Sequence, residues 1–466
     1  MTARTHMIVG DGITALAFLQ AVKHDPLDEV ILLGRGAGTF GRGAAYAKGT
    51  PGTPWQYAYL LNSPADDIDP DFAAWLAARW PDVQRKMAGR RPDWLSRATE
   101  LADAGDLYGV NAPREFYGDF MEEQCAAALA HLAAAGTKIR RIEDEATALI
   151  RTQDGIRVTT AAHGDIAADR VDIAPGGPST MRIEGDDGPF AVPSVFGFED
   201  RIAERIEAGA EILCIGGNAA MLDVLRLCQS LRADRDIRFV FIAPDGEIPA
   251  PLIPRLPRKL TRPQLSAGHS TAESFLTEIR REIDAALAAG DEMREIRAGF
   301  RAHFLANPLA GYVTDPNEAL KVPGQLRFWL RGGTRDTILD LRRLVEDGIA
   351  RLEQGLVTRV THRADGADVH LSGPDGSERV LHTGFAVNCA GAGPGSQYDP
   401  LTSDLLHQGL IETCQVTRGL AVGPGCGTAD ARLRYLSPSV TRIGDEVMAM
   451  PLYDAHMLRT YVARAS

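Results

Sequence analysis

The chain has 466 residues, of which 45% are hydrophobic and 24% are charged, and its formal net charge is −12. This length predicts two or three domains of about 150 residues each, and the sequence contains no run of about 18 apolar residues that would predict a membrane span. The acidic balance argues against nucleic acid as a partner, because neutralising phosphates requires clusters of basic side chains.

The cysteines and histidines give no sign of a metal site. The six cysteines show no Cys-x-x-Cys spacing, and Cys214 and Cys389 fall inside apolar strand patterns, where buried free thiols are common. The eleven histidines are scattered without metal-ligand spacing, so we expect no bound metal. Because the N-terminus also lacks the features of a signal peptide, we expect a cytoplasmic protein.

The first predicted elements are a strand, a glycine-rich turn and an apolar helix. The turn reads Gly-x-Gly-x-x-Ala and consists of Gly10, Asp11, Gly12, Ile13, Thr14 and Ala15. The first glycine permits a tight turn, the second allows close approach to a pyrophosphate, and the alanine lets the helix pack against its strand. The helix start offers unpaired N–H groups to an anion. With a second strand at 30–33, the pattern predicts a dinucleotide-binding unit, with an ordinary strand-to-helix turn as the alternative.

Helices and short strands fill the chain up to about residue 190. A helix predicted at 71–80 places Phe72 and Trp75 on one face, and we expect this face to pack into the core. A long helix rich in alanine and leucine is predicted at 114–134, and alternating strands are predicted at 138–173.

A second strand, turn and helix begin at Glu211. The turn reads Gly216-Gly217-Asn218, and the partner strand lies at 237–242. This recurrence suggests two nucleotide cofactors, or one cofactor and a remnant. The remaining predicted elements are a mainly helical stretch at 270–352, strands at 356–388 and a closing helix from about 451.

Several segments resemble one family in the same order along the chain. They lie at 10–15, 40–46, 60–65, 113–118, 174–176 and 388–391. The family is that of the two-dinucleotide-binding-domain flavoproteins, specifically the bacterial FAD/NAD(P)-binding group. This group is related to the single-component N-hydroxylating and Baeyer–Villiger-type flavin monooxygenases.

The resemblance implies an α/β fold with two Rossmann-like dinucleotide-binding domains and a helical substrate region. The FAD domain would be discontinuous, with the NAD(P)-type domain inserted into it. The implied boundaries are 1–190 for the first part of the FAD-binding domain, 191–385 for the NAD(P)-type domain with a helical insertion at about 270–352, and 386–466 for the C-terminal part of the FAD-binding domain.

The same resemblance implies where FAD binds. Its diphosphate would lie on the glycine-rich turn described above. The following loop would run along the nucleotide toward the flavin, and it contains Gly41, Arg42, Gly43 and Ala44. The glycines Gly176 and Gly391, at the two crossovers between domains, complete this cofactor-binding set.

Three polar side chains each have two interpretations. Asn62, the candidate catalytic residue, would lie near the isoalloxazine, where an amide can hydrogen-bond the ring or a reacting oxygen, or it would cap a loop. Arg114 would hold a cofactor phosphate or ribose, or form a surface ion pair. Asp445 would accept a hydrogen bond from a ribityl hydroxyl, or it would be a turn aspartate.

The chain departs from the family pattern at the adenosine ribose. The strand at 30–33 normally ends in Glu or Asp, which binds the ribose hydroxyls. Here Gly34 and Arg35 follow instead. Either Arg35 lies over the adenine, or backbone groups hold the ribose.

A second departure concerns the nicotinamide cofactor. Asn218 follows Gly216 and Gly217 at the point where close phosphate approach favours a residue without a β-carbon. Asp245, after the next strand, would repel the 2′-phosphate of NADPH but suits the ribose of NADH. The choice between NADH and NADPH therefore stays open, and so does a role of the second domain as a substrate or partner scaffold.

The leading functional prediction is an FAD-dependent oxidoreductase. In its monooxygenase form, reduced FAD and oxygen give a flavin hydroperoxide that transfers one oxygen atom to a small polar metabolite in a dry pocket. The alternatives are an FAD-dependent dehydrogenase or oxidase with a degenerate nicotinamide site, and a non-catalytic flavoprotein. We expect a small-molecule substrate and no membrane association, and a homo-oligomer stays open. Arg327, Arg331 and Arg335 are expected on a solvated face rather than at an anion site.

Overall fold

A five-stranded parallel sheet forms the centre of the first domain. The computed structural model describes residues 4–22, 27–255, 257–393, 396–414, 419–450 and 455–464. The inner strands of the sheet are apolar and buried almost throughout, as is typical of a parallel sheet covered on both faces. In order across the sheet the strands are Leu433–Tyr435, Arg170–Ile173, Thr5–Val9, Glu29–Gly34 and Lys138–Glu143.

A second five-stranded parallel sheet is built from the part of the chain between 191 and 388. Its strands, in order, are Ala350–Gln354, Phe239–Ala243, Ile212–Ile215, Phe385–Asn388 and Ala191–Val192. The first sheet is completed only afterwards, by Leu433–Tyr435. The first domain is therefore discontinuous and the second is inserted into it, as predicted. The expected boundary at 385 falls within the strand Phe385–Asn388.

In each domain the chain leaves the parallel sheet after an edge strand and forms an antiparallel three-stranded sheet. The edge strands are Lys138–Glu143 and Ala350–Gln354. The first antiparallel sheet consists of Ala146–Arg151, Ile156–Thr160 and Gly164–Ala168, and the second of Leu356–His362, Ala367–Ser372 and Glu378–Thr383. The chain then returns to the parallel sheet in both domains, so the two domains share one strand plan. Two smaller sheets pair Ala250–Leu252 with Gly332–Thr334 and join Glu412–Cys414, Gly419–Val422, Val440–Ile443 and Glu446–Val447.

The helices of the first domain confirm the predictions at 71–80 and 114–134. Asp69 caps the first of these helices by accepting a hydrogen bond from the backbone N–H of Asp71, and Pro70 starts it. Phe72 is fully buried and stacks on Trp75. The helices of this domain are Ile13–Gln20, Ala65–Ile68, Pro70–Ala78, Trp80–Met87, Pro92–Asp103, Arg114–Ala134, Pro400–His407 and Ala455–Arg464. The closing helix was expected from about 451, and residues 451–454 lie outside the described residues.

The helical stretch packs on the first domain although its sequence lies within the second. Its helices are Ala272–Ala288, Met293–Ala306, Pro316–Ala319 and Val322–Trp329. Phe275, Phe300 and Leu326 belong to the apolar core of the first domain, whereas the second domain has two cores of its own. The helices of the second domain are Glu199–Glu207, Ala219–Leu231 and Arg335–Glu346. Among the described helices, none has both the length and the apolarity needed to cross a bilayer.

Candidate functional site

The first glycine of the opening turn is fixed by the strand beside it. Gly10 has a φ of 107°, and its N–H donates to the carbonyl oxygen of Leu33 at 2.8 Å. The N–H of Ala174 donates to the carbonyl oxygen of Val9 at 2.7 Å, which brings the crossover against the turn. A β-carbon on Gly10 would lie 2.1 Å from the carbonyl oxygen of Ala174. Only glycine fits there without moving the backbone.

The helix that follows this turn presents uncapped N–H groups. Gly12 is its N-cap and provides no side-chain hydrogen bond, so the first-turn donors stay available to an anion. A β-carbon on Gly43 would lie 3.0 Å from the Cα of Gly12, so the following loop passes directly over the helix start. Thr14 and Ala15 are buried beneath. This arrangement fits a diphosphate group.

The second turn repeats the hydrogen bonds of the first. Gly216 has a φ of 114°, and its N–H donates to the carbonyl oxygen of Ile242 at 3.0 Å. Cys389 donates to Ile215 at 2.8 Å, and a β-carbon on Gly216 would lie 2.6 Å from the carbonyl oxygen of Cys389. Asn218 takes the N-cap position with an extended backbone, an exposed side chain and no capping hydrogen bond. The second turn therefore keeps the form of a phosphate-binding turn.

The loop after the first unit is tied to the long helix by Arg42. The side chain of Arg42 is buried, forms ion pairs with Asp119 and Glu122, and donates to the backbone oxygens of Tyr46 and Glu115. Gly118 makes room for this contact, because a β-carbon there would lie 2.3 Å from Nη1 of Arg42. These contacts show Arg42 positioning the loop, and its predicted contact with the cofactor stays a prediction.

Arg114 forms an ion pair between the two domains, and this pair is buried rather than on the surface. Its guanidinium lies 2.9 Å from Asp223 Oδ2 and donates to the carbonyl oxygen of Leu60 at 3.1 Å. Asp223 lies on the helix that follows the second glycine turn. Burial raises the pKa of Asp223 to about 6, although the nearby Arg114 acts to lower it. The ion pair therefore connects the start of the long helix to the second dinucleotide-type unit.

A cavity of about 210 Å³ opens beside this ion pair, between the two domains. Tyr59 packs edge-on against Phe196, with ring centroids 5.9 Å apart, and its buried hydroxyl has no hydrogen-bond partner among the described residues. Burial raises the pKa of Tyr59, so the hydroxyl keeps its proton. The cavity is lined by Ala44, Ala45, Ala47, Lys48, Gly49, Thr50, Trp55, Tyr57, Ala58, Tyr59, Arg114, Glu115, Phe196, Glu199 and Asp200.

Tyr57, also in this lining, has an unusual backbone. Its φ is 65°, a left-handed conformation that costs a residue with a β-carbon about 1–2 kcal/mol. Its ring stacks on Phe116 with centroids 5.1 Å apart, which holds the conformation. Such backbone strain is most often found at functional sites.

The other predicted residues lie at exposed or half-buried positions. Asn62 is half-buried, and its amide makes no hydrogen bond with the described residues. Gly176 and Gly391 are exposed, with φ of 91° and 75° and open space around each. Asp445 is exposed in the turn between Val440–Ile443 and Glu446–Val447. It therefore occupies a turn position, which was one of its two interpretations, and its ribityl contact stays a prediction.

In each domain a charged residue lies near the end of the strand that follows the glycine turn and its helix, and the sign of the charge differs. In the first domain Arg35 follows the strand Glu29–Gly34 and is exposed. In the second domain Asp245 forms an ion pair with Arg331, whose guanidinium also lies 4.1 Å from the ring centroid of Phe328. The expectation of a solvated face is therefore wrong for Arg331, because the chain after the helix Val322–Trp329 pairs as the strand Gly332–Thr334 with Ala250–Leu252, a few residues beyond Asp245.

The described residues bring together no group of three or more metal-ligating side chains. Sequence reasoning missed Gly118, Asp223 and the Arg331 pairing. An isolated glycine inside a helical pattern and an aspartate inside an apolar helix were the available signals for the first two. The pairing of Arg331 with Asp245 joins residues 86 positions apart, and no local pattern encodes it.

Comparison with known proteins finds one family match, and it lies within the first domain. Residues 7–178 are similar to a family model described as FAD-NAD(P)-binding. Among curated proteins, none matches the sequence.

Solved structures share the fold of the whole chain. One is an ornithine N-hydroxylase from Kutzneria sp. 744, a structure with reduced FAD, NADP+ and L-ornithine. It has a TM-score of 0.53 and 14% identity, with coverage of 99% of this chain and 97% of that one. Another is an FAD-bound cadaverine monooxygenase of desferrioxamine biosynthesis from Erwinia amylovora, with a TM-score of 0.50, 13% identity, and coverage of 100% and 93%. The chain therefore has the fold of two-dinucleotide-binding-domain flavoproteins.

Proposed function

From the FAD-NAD(P)-binding match over residues 7–178, we propose that this chain is an FAD-dependent oxidoreductase. We further propose that it is a monooxygenase acting on a small polar metabolite. The observation that carries the proposal is the repetition of one turn geometry in two domains, with Gly10 against Ala174 and Gly216 against Cys389. Two such turns accommodate an electron-carrying flavin and the nicotinamide that reduces it.

The first domain would hold FAD. The N–H groups at 12–15 bind its diphosphate, and the loop at 41–44 runs along the nucleotide. Arg42 contributes by fixing this loop to the long helix. When bound, FAD supplies two-electron transfer and, once reduced, reaction with oxygen. The protein would hold FAD in a defined place and exclude water from its reacting ring.

The cavity between the domains is the proposed substrate site. It has aromatic walls at Tyr57, Tyr59 and Phe196, and it carries charged groups of both signs. A protonated Tyr59 hydroxyl without a protein partner can donate to a bound polar group. Asn62, with its amide unused by the described residues, is proposed to hydrogen-bond the flavin or the reacting oxygen.

The second domain is proposed to bind NADH or NADPH. The uncapped helix start at Asn218 offers its donors to the diphosphate. Asp245 and Arg331 stand at the strand end where the adenosine ribose is bound in this fold. Their charges compensate each other, so the pair itself permits either nucleotide.

Anaerobic reduction tests the proposed reaction. The purified chain is loaded with FAD and mixed in stopped flow with NADPH or NADH, and the flavin absorbance at about 450 nm is followed. Rapid bleaching by either nucleotide supports the monooxygenase. Bleaching only by a small-molecule donor supports a dehydrogenase or oxidase instead, and a protein that never retains flavin contradicts both.

The proposed setting is the cytoplasm. All six cysteines are free thiols and all are buried. Free thiols persist in a reducing compartment. The proposed partner is the small-molecule substrate itself.

A further inference from the structure

We propose that Asp11 supplies the carboxylate that binds the adenosine ribose of FAD. This inference rests on the proposed FAD binding. The acid that normally ends the second strand is absent, since Gly34 and Arg35 stand there and Arg35 is exposed. Asp11 comes instead from the glycine turn, between Gly10 and Gly12.

The side chain of Asp11 lies over the end of the second strand. Its Oδ2 accepts a hydrogen bond from the backbone N–H of Gly36 at 2.6 Å. A β-carbon on Gly34 would lie 3.1 Å from the Cβ and from Oδ2 of Asp11, and one on Gly36 would lie 3.0 Å from Oδ2. The carboxylate thus occupies the space that a strand-end side chain would otherwise fill, and the two glycines leave room for it.

The carboxylate is held in place and keeps acceptor capacity. The carbonyl oxygen of Asp11 accepts from the N–H groups of Gly41 at 2.8 Å and Gly43 at 3.1 Å, which fixes the backbone of this residue. A carboxylate has about four lone-pair positions, and Gly36 is the one described partner of the side chain. Asp11 is half-buried at the turn, so its side chain is not sealed inside the core. The remaining lone-pair positions can accept from two vicinal hydroxyls.

A competing account gives Asp11 only the task of capping the loop at Gly36. In that case its negative charge near the diphosphate would weaken FAD binding, because like charges repel. The two accounts predict opposite effects of removing the side chain. Only the first account predicts that removing the ribose hydroxyls from the ligand weakens binding through Asp11.

The test uses the full chain stripped of FAD. Kd values for FAD are measured by quenching of flavin fluorescence, and those for ADP and 2′,3′-dideoxy-ADP by competition. The wild type is expected to bind ADP at least tenfold more tightly than the dideoxy form. In Asp11→Ala this preference falls below twofold, and the Kd for FAD rises at least tenfold.

Asp28→Asn is the matched control. Asp28 also accepts a hydrogen bond from a backbone N–H, that of Arg4 at 2.6 Å. It lies before the start of the strand Glu29–Gly34, whereas Asp11 lies over the end of that strand. The Asp28→Asn variant should change neither the preference for ADP over the dideoxy form nor the Kd for FAD. If Asp11→Ala does not fold, Asp11→Asn retains an acceptor for Gly36 and should still lose most of the preference.

An unchanged ribose preference in both Asp11 variants, or tighter FAD binding, overturns the inference while leaving the proposed function intact. A wild-type chain that binds neither FAD nor ADP overturns both.

Discussion

Asp223 and Arg114 connect the two domains at the level of single residues. Burial holds the pKa of Asp223 at about 6 in the folded chain, above its ordinary value. The folded state therefore binds this proton more tightly than the unfolded state. The resulting stabilisation is full below about pH 4 and is lost as the pH rises through the folded pKa.

We predict that Asp223→Asn removes this pH dependence. Relative to the variant, the wild type should lose about 1–3 kcal/mol of unfolding free energy between pH 4 and pH 7. Urea unfolding of both proteins across this range measures the difference. A difference that stays constant with pH would contradict the assignment.

Asp245 is the residue that should set the choice of nicotinamide. Its carboxylate neutralises Arg331, so neither side chain favours a 2′-phosphate. We predict that Asp245→Ala frees the guanidinium and shifts the Kd ratio toward NADPH by about tenfold, since Arg pairs strongly with phosphate. Glu247→Ala is the control, because Glu247 lies farther from Arg331, at 3.5 Å, and is largely exposed. An equal shift in both variants, measured by titration, would show that general charge and not the pair is responsible.

Among the elements, the packing of the long helix Arg114–Ala134 against the loop at 41–46 depends on Gly118. Replacing a glycine inside a helix by alanine normally stabilises it by about 0.5–1 kcal/mol. At Gly118 the new β-carbon would lie 2.4 Å from the carbonyl oxygen of Tyr46. We therefore predict that Gly118→Ala lowers the unfolding free energy by about 1–3 kcal/mol and weakens FAD binding.

Gly324 gives a matched control for this substitution. It also lies within a helix, Val322–Trp329, but a β-carbon there meets nothing within 4 Å. Gly324→Ala should be neutral or stabilising in thermal unfolding. Equal effects at both positions would mean that the loop contact is unimportant.

Elements with local patterns could be predicted from the sequence, and contacts between distant segments could not. The turn at Gly10 and the helix Arg114–Ala134 follow from glycine spacing and apolar periodicity within a few residues. Arg42 pairs with Asp119, 77 positions away, and Arg114 pairs with Asp223, 109 positions away. Such pairs depend on how distant segments pack together, so the sequence did not predict that both arginines pair with acidic residues of the chain.

At the scale of the whole molecule, the site depends on the insertion of one domain into the other. The inserted domain contributes Phe196 and Glu199 to the cavity, from the loop and the helix that follow its strand Ala191–Val192, while the first domain contributes the segment from Ala44 to Tyr59. The resemblance of short segments predicted this discontinuous plan. It did not predict that the helical stretch at 272–329 would pack into the core of the first domain, because amphipathic periodicity identifies an apolar face but not its partner.

Calorimetric titration of the flavin-free chain with FAD measures directly whether the opening turn binds this cofactor. Gly10 and Gly12 form the turn that is proposed to bind the FAD diphosphate, and neither a β-carbon nor a side-chain cap obstructs it. We therefore predict one FAD bound per chain, displaced by ADP in competition. An absence of binding, or binding that ADP does not displace, would contradict the account.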